Sequence, residues 1–152
     1  MTPSVPQIRT AVADDAEDIR NVCEFGLGYP YETTLVKHRL ENLQAGEEIV
    51  FVAEINGTVV GFVHADKYRC LYYETALNIL GLAVLPAWQK QGLGTQLINA
   101  VEDWAKENQI HVIRLNSGAS RTNAHRFYRS LGYDSEKEQL RFLKQIKSCY
   151  SV

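Results

Sequence analysis

Apolar and polar positions along the chain change period from segment to segment, and each change predicts an element. Residues 8–12 read as a short strand. Asp14 and Asp15 then supply a cap and an acidic first turn for a helix carrying Ile19, Val22, Cys23 and Leu27, which Gly26 and Gly28 end. Beyond the break at Tyr29-Pro30-Tyr31, Leu35, Val36, Leu40 and Leu43 recur at helical spacing until Gly46. Residues 49–55 and 58–65 are strand-like runs on either side of Asn56-Gly57, a pair suited to the positive backbone angles of a type I′ hairpin turn. An aromatic stretch, 68–73, leads into residues 76–84, apolar on both faces and therefore a central strand, which Pro86 closes.

In the second half, Leu93, Leu97, Ile98, Val101, Trp104 and Ala105 trace one face of a helix ending near Asn108, and residues 112–115 follow as a strand. Ala124, Phe127, Tyr128 and Leu131 mark a further helix, ending at Gly132. Residues 140–146 alternate apolar and polar side chains as a last strand does. Helices interleaved with strands in this order predict an α/β (α+β) domain with a mixed sheet.

Composition narrows the function classes. A chain of 152 residues that is 45% hydrophobic and 22% charged has the material for one core, and residues 1–152 are expected to be a single domain. The net charge of -2 argues against a grip on nucleic acid or anionic lipid. No apolar run is long enough to span a membrane, and the polar start has no export signal. Cys23, Cys70 and Cys149 are odd in number and form no C-x-x-C pair, which speaks against a disulfide framework or zinc and for a cytoplasmic setting. His64 and His111 lack metal-ligand spacing and read as structural histidines, so no metal is expected.

The chemistry concentrates between Leu82 and Thr95. A buried strand passes through a short connection with two glycines into an amphipathic helix, aiming unpaired N–H groups and a positive helix end at one spot. That is a natural pyrophosphate cradle, although the same glycines could merely shape a turn. It is no dinucleotide fingerprint, because the third glycine of G-x-G-x-x-G falls on Leu97, and no P-loop, because no Gly-Lys-Ser/Thr follows.

Gln89-Lys90-Gln91-Gly92-Leu93-Gly94 resembles the Gln/Arg-x-x-Gly-x-Gly/Ala loop of the GNAT superfamily of N-acetyltransferases. The preceding Leu82-x-Val84-x-Pro86 is similar to that family's strand ending, and residues 124–133, with Phe127-Tyr128 and Gly132-Tyr133, to its second landmark. The resemblance implies a mostly antiparallel sheet of about six or seven strands, splayed at the fourth and flanked by about four helices. It implies acetyl-CoA as cosubstrate, with pantetheine along Leu82, Ala83 and Val84. The pyrophosphate would lie on Gln91, Gly92, Leu93, Gly94 and Thr95, within a loop that Gln89 and Lys90 open. Tyr128 would be the general acid that protonates the departing thiolate; its other reading is a core tyrosine. Arg121, His125 and Arg129 share a helix face, and Arg121 and His125, with Lys90, could meet the nucleotide phosphates, unless they are only a solvated basic stripe.

Attack requires a neutral amine, hence a base. Some relatives carry a Glu where this chain has Asn78, and Glu74 is the nearest upstream carboxylate, a base candidate that reads equally as a solvated acid. The leading reading is acetyl transfer to a primary amine by direct attack in a ternary complex. The second is a non-catalytic acyl-CoA sensor or partner subunit, to which Asn78 points. Tyr29, Tyr31, Tyr68, Tyr72 and Tyr73, with Glu32 and Glu74, suggest an aromatic wall for a small cationic or lysine-like amine, with Tyr31, Tyr73 and Asn78 as acceptor contacts. A homodimer is the default assembly.

Overall fold

The computed structural model describes residues 5–135 and 137–147. They fall into two compact units that divide after Asn116. The first holds one sheet of five strands in the order β1 (Gln7–Thr10), β2 (Glu48–Ile55), β3 (Thr58–Cys70), β4 (Tyr73–Val84) and β5 (Ile113–Leu115). All neighbours are antiparallel except β4 and β5, which run parallel across the crossover helix α3 (Leu93–Glu107).

Successive residues of β3 face opposite sides of the sheet, and each side has its own helix. Phe62 joins Val52, Val59 and Ala83 in a core sealed by Ile19 and Val22 of α1 (Ala16–Val22). Its neighbour Gly61 looks the other way, toward Leu97 of α3. After α1 the chain widens into a π-type turn, Cys23–Leu27, and a second helix, α2 (Thr33–Glu41), completes the cover on the α1 side. Gly26 permits that turn to sit on β4, since a Cβ there would stand 3.1 Å from the Ala83 Cβ.

The Asn56-Gly57 turn forms as its sequence predicts, with φ of 51° and 81°. The cap of the first helix takes another form: Asp15 is buried, accepts the Val12 N–H at 2.8 Å and binds the Arg9 guanidinium through both oxygens. Arg9 also reaches Glu54 at 3.0 Å, tying β1 to β2 and to the start of α1. The aromatic stretch is the β3–β4 hairpin, both strands running longer than the hydrophobic pattern suggested.

The second unit carries α4 (Thr122–Ser130). The strand expected over 140–146 is absent from the described residues: the segment has no regular structure, and Leu140, Phe142, Leu143 and Ile146 are all exposed. The sheet therefore has five strands among the described residues rather than six or seven.

Candidate active site

The defining feature of the first unit is an edge left open in mid-sheet. β5 pairs only with Leu77, Asn78 and Ile79, so beyond Ile79 strand β4 has β3 on one side and, among the described residues, no strand on the other. Leu85 N–H donates to the Val60 carbonyl at 2.8 Å, and alternation then makes Phe62/Ala83 the next bonded pair along β3 and β4. Leu82 and Val84 consequently turn their N–H and C=O groups to the open edge. Val84 verifies the direction, for its carbonyl accepts a bond from Gln89 Nε2 at 3.0 Å. Ala83, which the resemblance groups with them as a pantetheine contact, has its backbone turned toward β3.

The strand ends in a loop that exposes donors. Lys90 has φ of 63° and Gly92 of 83°, and a Cβ on Gly92 would meet nothing within 4 Å. Gly92 precedes α3 without a capping side chain, and the first helical bond runs from Gln96 N–H to its carbonyl. The N–H groups of Gln91, Gly92, Leu93, Gly94 and Thr95 thus have no acceptor among the described residues of this unit. Leu93 anchors the turn by burying its side chain. Five donors and a positive helix end suit a ligand group that only accepts hydrogen bonds.

On the α1 side, a cavity of about 450 Å³ lies between the helices and the sheet, its floor formed by Leu80 and Gly81 just before the open edge. Tyr29 and Tyr31 line it, their rings stacked 6.5 Å apart. Tyr73 is elsewhere, exposed at the far end of β4, so it forms no aromatic cage with Tyr31. Glu74 is also exposed there; eight positions from Leu82 at strand rise is about 26 Å, too far to serve the open edge as a base. Asn78 has both ends of its amide engaged, donating to Asp66 at 3.3 Å and accepting from Arg114 at 2.7 Å. Arg114 in turn lies over the Tyr68 ring at 4.3 Å.

A pair missed by sequence reasoning stands on the cavity floor. His64 of β3 is opposite Gly81, and its Nε2 lies 2.9 Å from Glu48 Oε1 of β2. The other Glu48 oxygen accepts the Gln44 N–H at 3.2 Å. Burial pushes the Glu48 carboxyl up, but those two bonds and the charges of His64 and Arg39 outweigh it and hold the group below its usual range. The available signal was alternation along β3, which puts Phe62, His64 and Asp66 on one face.

In the second unit, α4 positions Tyr128 against Phe127 and Tyr133, with ring centroids 5.2 and 6.0 Å away. Burial raises the Tyr128 hydroxyl above its ordinary value and the Arg121 charge partly offsets this, so the phenol holds its proton at neutral pH. His125 Nε2 donates to the Gly118 carbonyl at 2.9 Å, leaving Nδ1 for any other partner. Among the described residues no group of three His, Cys, Asp or Glu side chains is placed to hold a metal ion, and no helix is long and apolar enough to cross a membrane.

Comparison with known proteins gives the same picture. An aminoglycoside N-acetyltransferase solved in complex with CoA superposes with a TM-score of 0.82 at 21% identity, covering 96% of this chain and 100% of that one. An uncharacterised N-acetyltransferase of Chlorobaculum tepidum is 31% identical over 135 residues, 86% of this chain and 77% of its own length. An aminoalkylphosphonate N-acetyltransferase of Salmonella typhimurium is 32% identical over 92 residues, 60% of this chain and 58% of that protein. The chain spans about half, 47%, of an uncharacterised N-acetyltransferase of Methanocaldococcus jannaschii, to which it is 30% identical over 107 residues. The model of the acetyltransferase (GNAT) family matches residues 13–133, well over half the sequence, and the chain belongs to that family.

Proposed function

We propose that this protein transfers an acetyl group from acetyl-CoA to the primary amine of a small molecule, by direct attack with both substrates bound. The observation that carries the reading is the continuity of two unsatisfied surfaces: the open edge at Leu82 and Val84 runs into the bare N-terminus of α3. Acetyl-CoA fits both. Its pantetheine amides donate and accept, as a strand edge requires, and its pyrophosphate only accepts, as the N–H groups of Gln91 to Thr95 require. These backbone groups are open to solvent, so a ligand that matches them replaces water with hydrogen bonds of fixed geometry.

Each residue then has a task. Gln89 fixes the loop to the strand end through the Val84 carbonyl. Of the two outward N–H groups at Leu82 and Val84, one serves the pantetheine and the other polarises the thioester carbonyl. Tyr128 donates a proton to the departing thiolate; a phenol near 10 is a weaker acid than a thiol near 8.5, so the transfer depends on the hydroxyl being held in place. Lys90, Arg121 and the free Nδ1 of His125 are the candidates for the nucleotide phosphates. Cys23 is no nucleophile, because burial raises its thiol and keeps it protonated. The relatives named for aminoalkylphosphonates and aminoglycosides support a small amine as acceptor.

Thiol release from acetyl-CoA in the presence of a panel of primary amines tests the reading. Amine-dependent release is expected, with kcat about 10²-fold lower in Tyr128→Phe while acetyl-CoA affinity is retained. Tight acetyl-CoA binding without release for any amine would favour a sensor instead.

A further inference from the structure

A proton acceptor lines the cavity beside Leu80 and Gly81 of β4. His64 pairs with Gly81 in the β3–β4 register, which puts their Cα atoms about 5 Å apart, and Gly81 directly precedes Leu82 of the open edge. A carboxylate only accepts hydrogen bonds, so the 2.9 Å contact with Glu48 assigns the proton of neutral His64 to Nε2 and leaves Nδ1 with a free lone pair. Glu48 itself is a poor base, with both oxygens already engaged. His64 keeps 31% of its side-chain surface exposed and lines the cavity, so a ligand there can reach it.

The surroundings suit an incoming ammonium group. Asp66 pairs with Glu48 across β2 and β3 and shares the His64 face, its Oδ1 accepting from Asn78, so the carboxylate against the imidazole in the cavity is that of Glu48. From α2, His38 and Arg39 also line the cavity, and the Arg39 charge reaches Glu48. The segment between α1 and α2 contributes Cys23, kept protonated by burial, and the phenols of Tyr29 and Tyr31; β4 contributes only the uncharged Leu80 and Gly81.

We propose that His64, oriented by Glu48, is the general base that deprotonates the acceptor amine. The proton moves from the ammonium nitrogen to His64 Nδ1 and the freed lone pair forms the C–N bond at the thioester carbonyl; collapse of the tetrahedral intermediate breaks the C–S bond, the departing thiolate takes the Tyr128 proton, and the second proton of the attacking nitrogen returns through water to the phenolate. The resulting imidazolium keeps its Nε2–H bond to Glu48 until water removes the extra proton. The inference rests on the acetyl-transfer reading and supplies the base that Glu74 and Asn78 do not.

Two probe amines separate the possibilities: n-propylamine, protonated at neutral pH, and 2,2,2-trifluoroethylamine, already neutral there. With acetyl-CoA, H64Q should lose about 10²-fold or more in kcat/KM toward propylamine at pH 7, and the deficit should shrink as pH rises and free amine accumulates. Toward trifluoroethylamine the loss should be within about threefold, because no proton has to be removed before attack. Calorimetric affinity for acetyl-CoA should be unchanged. E48Q, which keeps the imidazole but loses its carboxylate partner, should show a smaller loss toward propylamine and none beyond about threefold toward trifluoroethylamine, and it preserves the test should H64Q fail to fold. Equal losses for both amines, or an unaltered pH profile in both variants, would overturn the assignment of His64 alone. Absence of turnover by the unmodified enzyme with either amine and with the wider panel would overturn acetyl transfer itself, and this inference with it.

Discussion

A charge series at Gly92 separates the role of this residue in the fold from its role in the site. The residue has φ of 83°, and a Cβ there meets no neighbour within 4 Å. Gly92→Ala, Gly92→Glu and Gly92→Lys therefore share one conformational cost, about 1–2 kcal/mol for a left-handed non-glycine residue, and no steric cost. For a chain of this size that lowers Tm by about 3–6 °C, nearly equally in the three. Coenzyme affinity should diverge. A Glu carboxylate about 6 Å from a pyrophosphate charge at an effective dielectric of 20 contributes about 2.8 kcal/mol of repulsion, which is about 10²-fold in Kd. The Lys ammonium acts in the opposite direction and Ala in neither. Isothermal titration with acetyl-CoA, alongside thermal melts, should thus give affinities in the order Lys, Ala, Glu at matched stability. Equal affinities across the series would show that no pyrophosphate lies at the start of α3.

Two further predictions concern stability and the acceptor. The Arg9 hydrogen bond holds the Asp15 carboxyl below its usual range, against the upward push of burial and with help from the Val12 N–H. A depressed folded value means the stabilisation is complete above the unfolded value of about 3.9 and is lost as pH falls through the folded one. Arg9→Ala should cost about 3 kcal/mol in urea unfolding at pH 7, and the deficit should contract toward pH 3; a deficit independent of pH would contradict the ion-pair account. At the cavity, Tyr31→Leu should raise KM for the best amine while Tyr73→Leu leaves it unchanged, and equal effects would mean that the acceptor extends to the β3–β4 hairpin.

How far the sequence discloses this molecule depends on the range over which each signal acts. The Asn56-Gly57 turn, the strand of β4 and the apolar face of α3 are local patterns, and they appear where the chain puts them, although β4 is less buried than its apolar run predicts, with Leu80 exposed. The loop from Gln89 to Gly94 is legible because strand, glycines and helix are contiguous. Alternation suffices to separate Leu82 and Val84 from Ala83, but only once β3 is known to be the bonded partner. Residues 140–146 alternate without forming a strand, because pairing needs a neighbour that periodicity does not provide. The Glu48–His64 pair was hidden for a related reason. Counting back from the hairpin puts Glu48 opposite Ala65, and the irregularity at Ala53/Glu54 shifts the register by one, bringing Glu48 opposite Asp66 and its side chain to the His64 face. No residue type announces that irregularity. Tyr31 and Tyr73 were grouped by composition, and the length of β4 separates them.

The central claim is that acetyl-CoA completes the open edge of β4 and the bare start of α3, and amide-resolved NMR of the 15N-labelled protein tests it most directly. On titration with acetyl-CoA, the amides of Leu82, Val84 and Gln91 to Thr95 should shift downfield and gain protection from solvent exchange, while that of Ala83, already bonded to Phe62, keeps its protection. Equal gains at Leu82, Ala83 and Val84, or binding that leaves the amides of Gln91 to Thr95 unprotected, would contradict it.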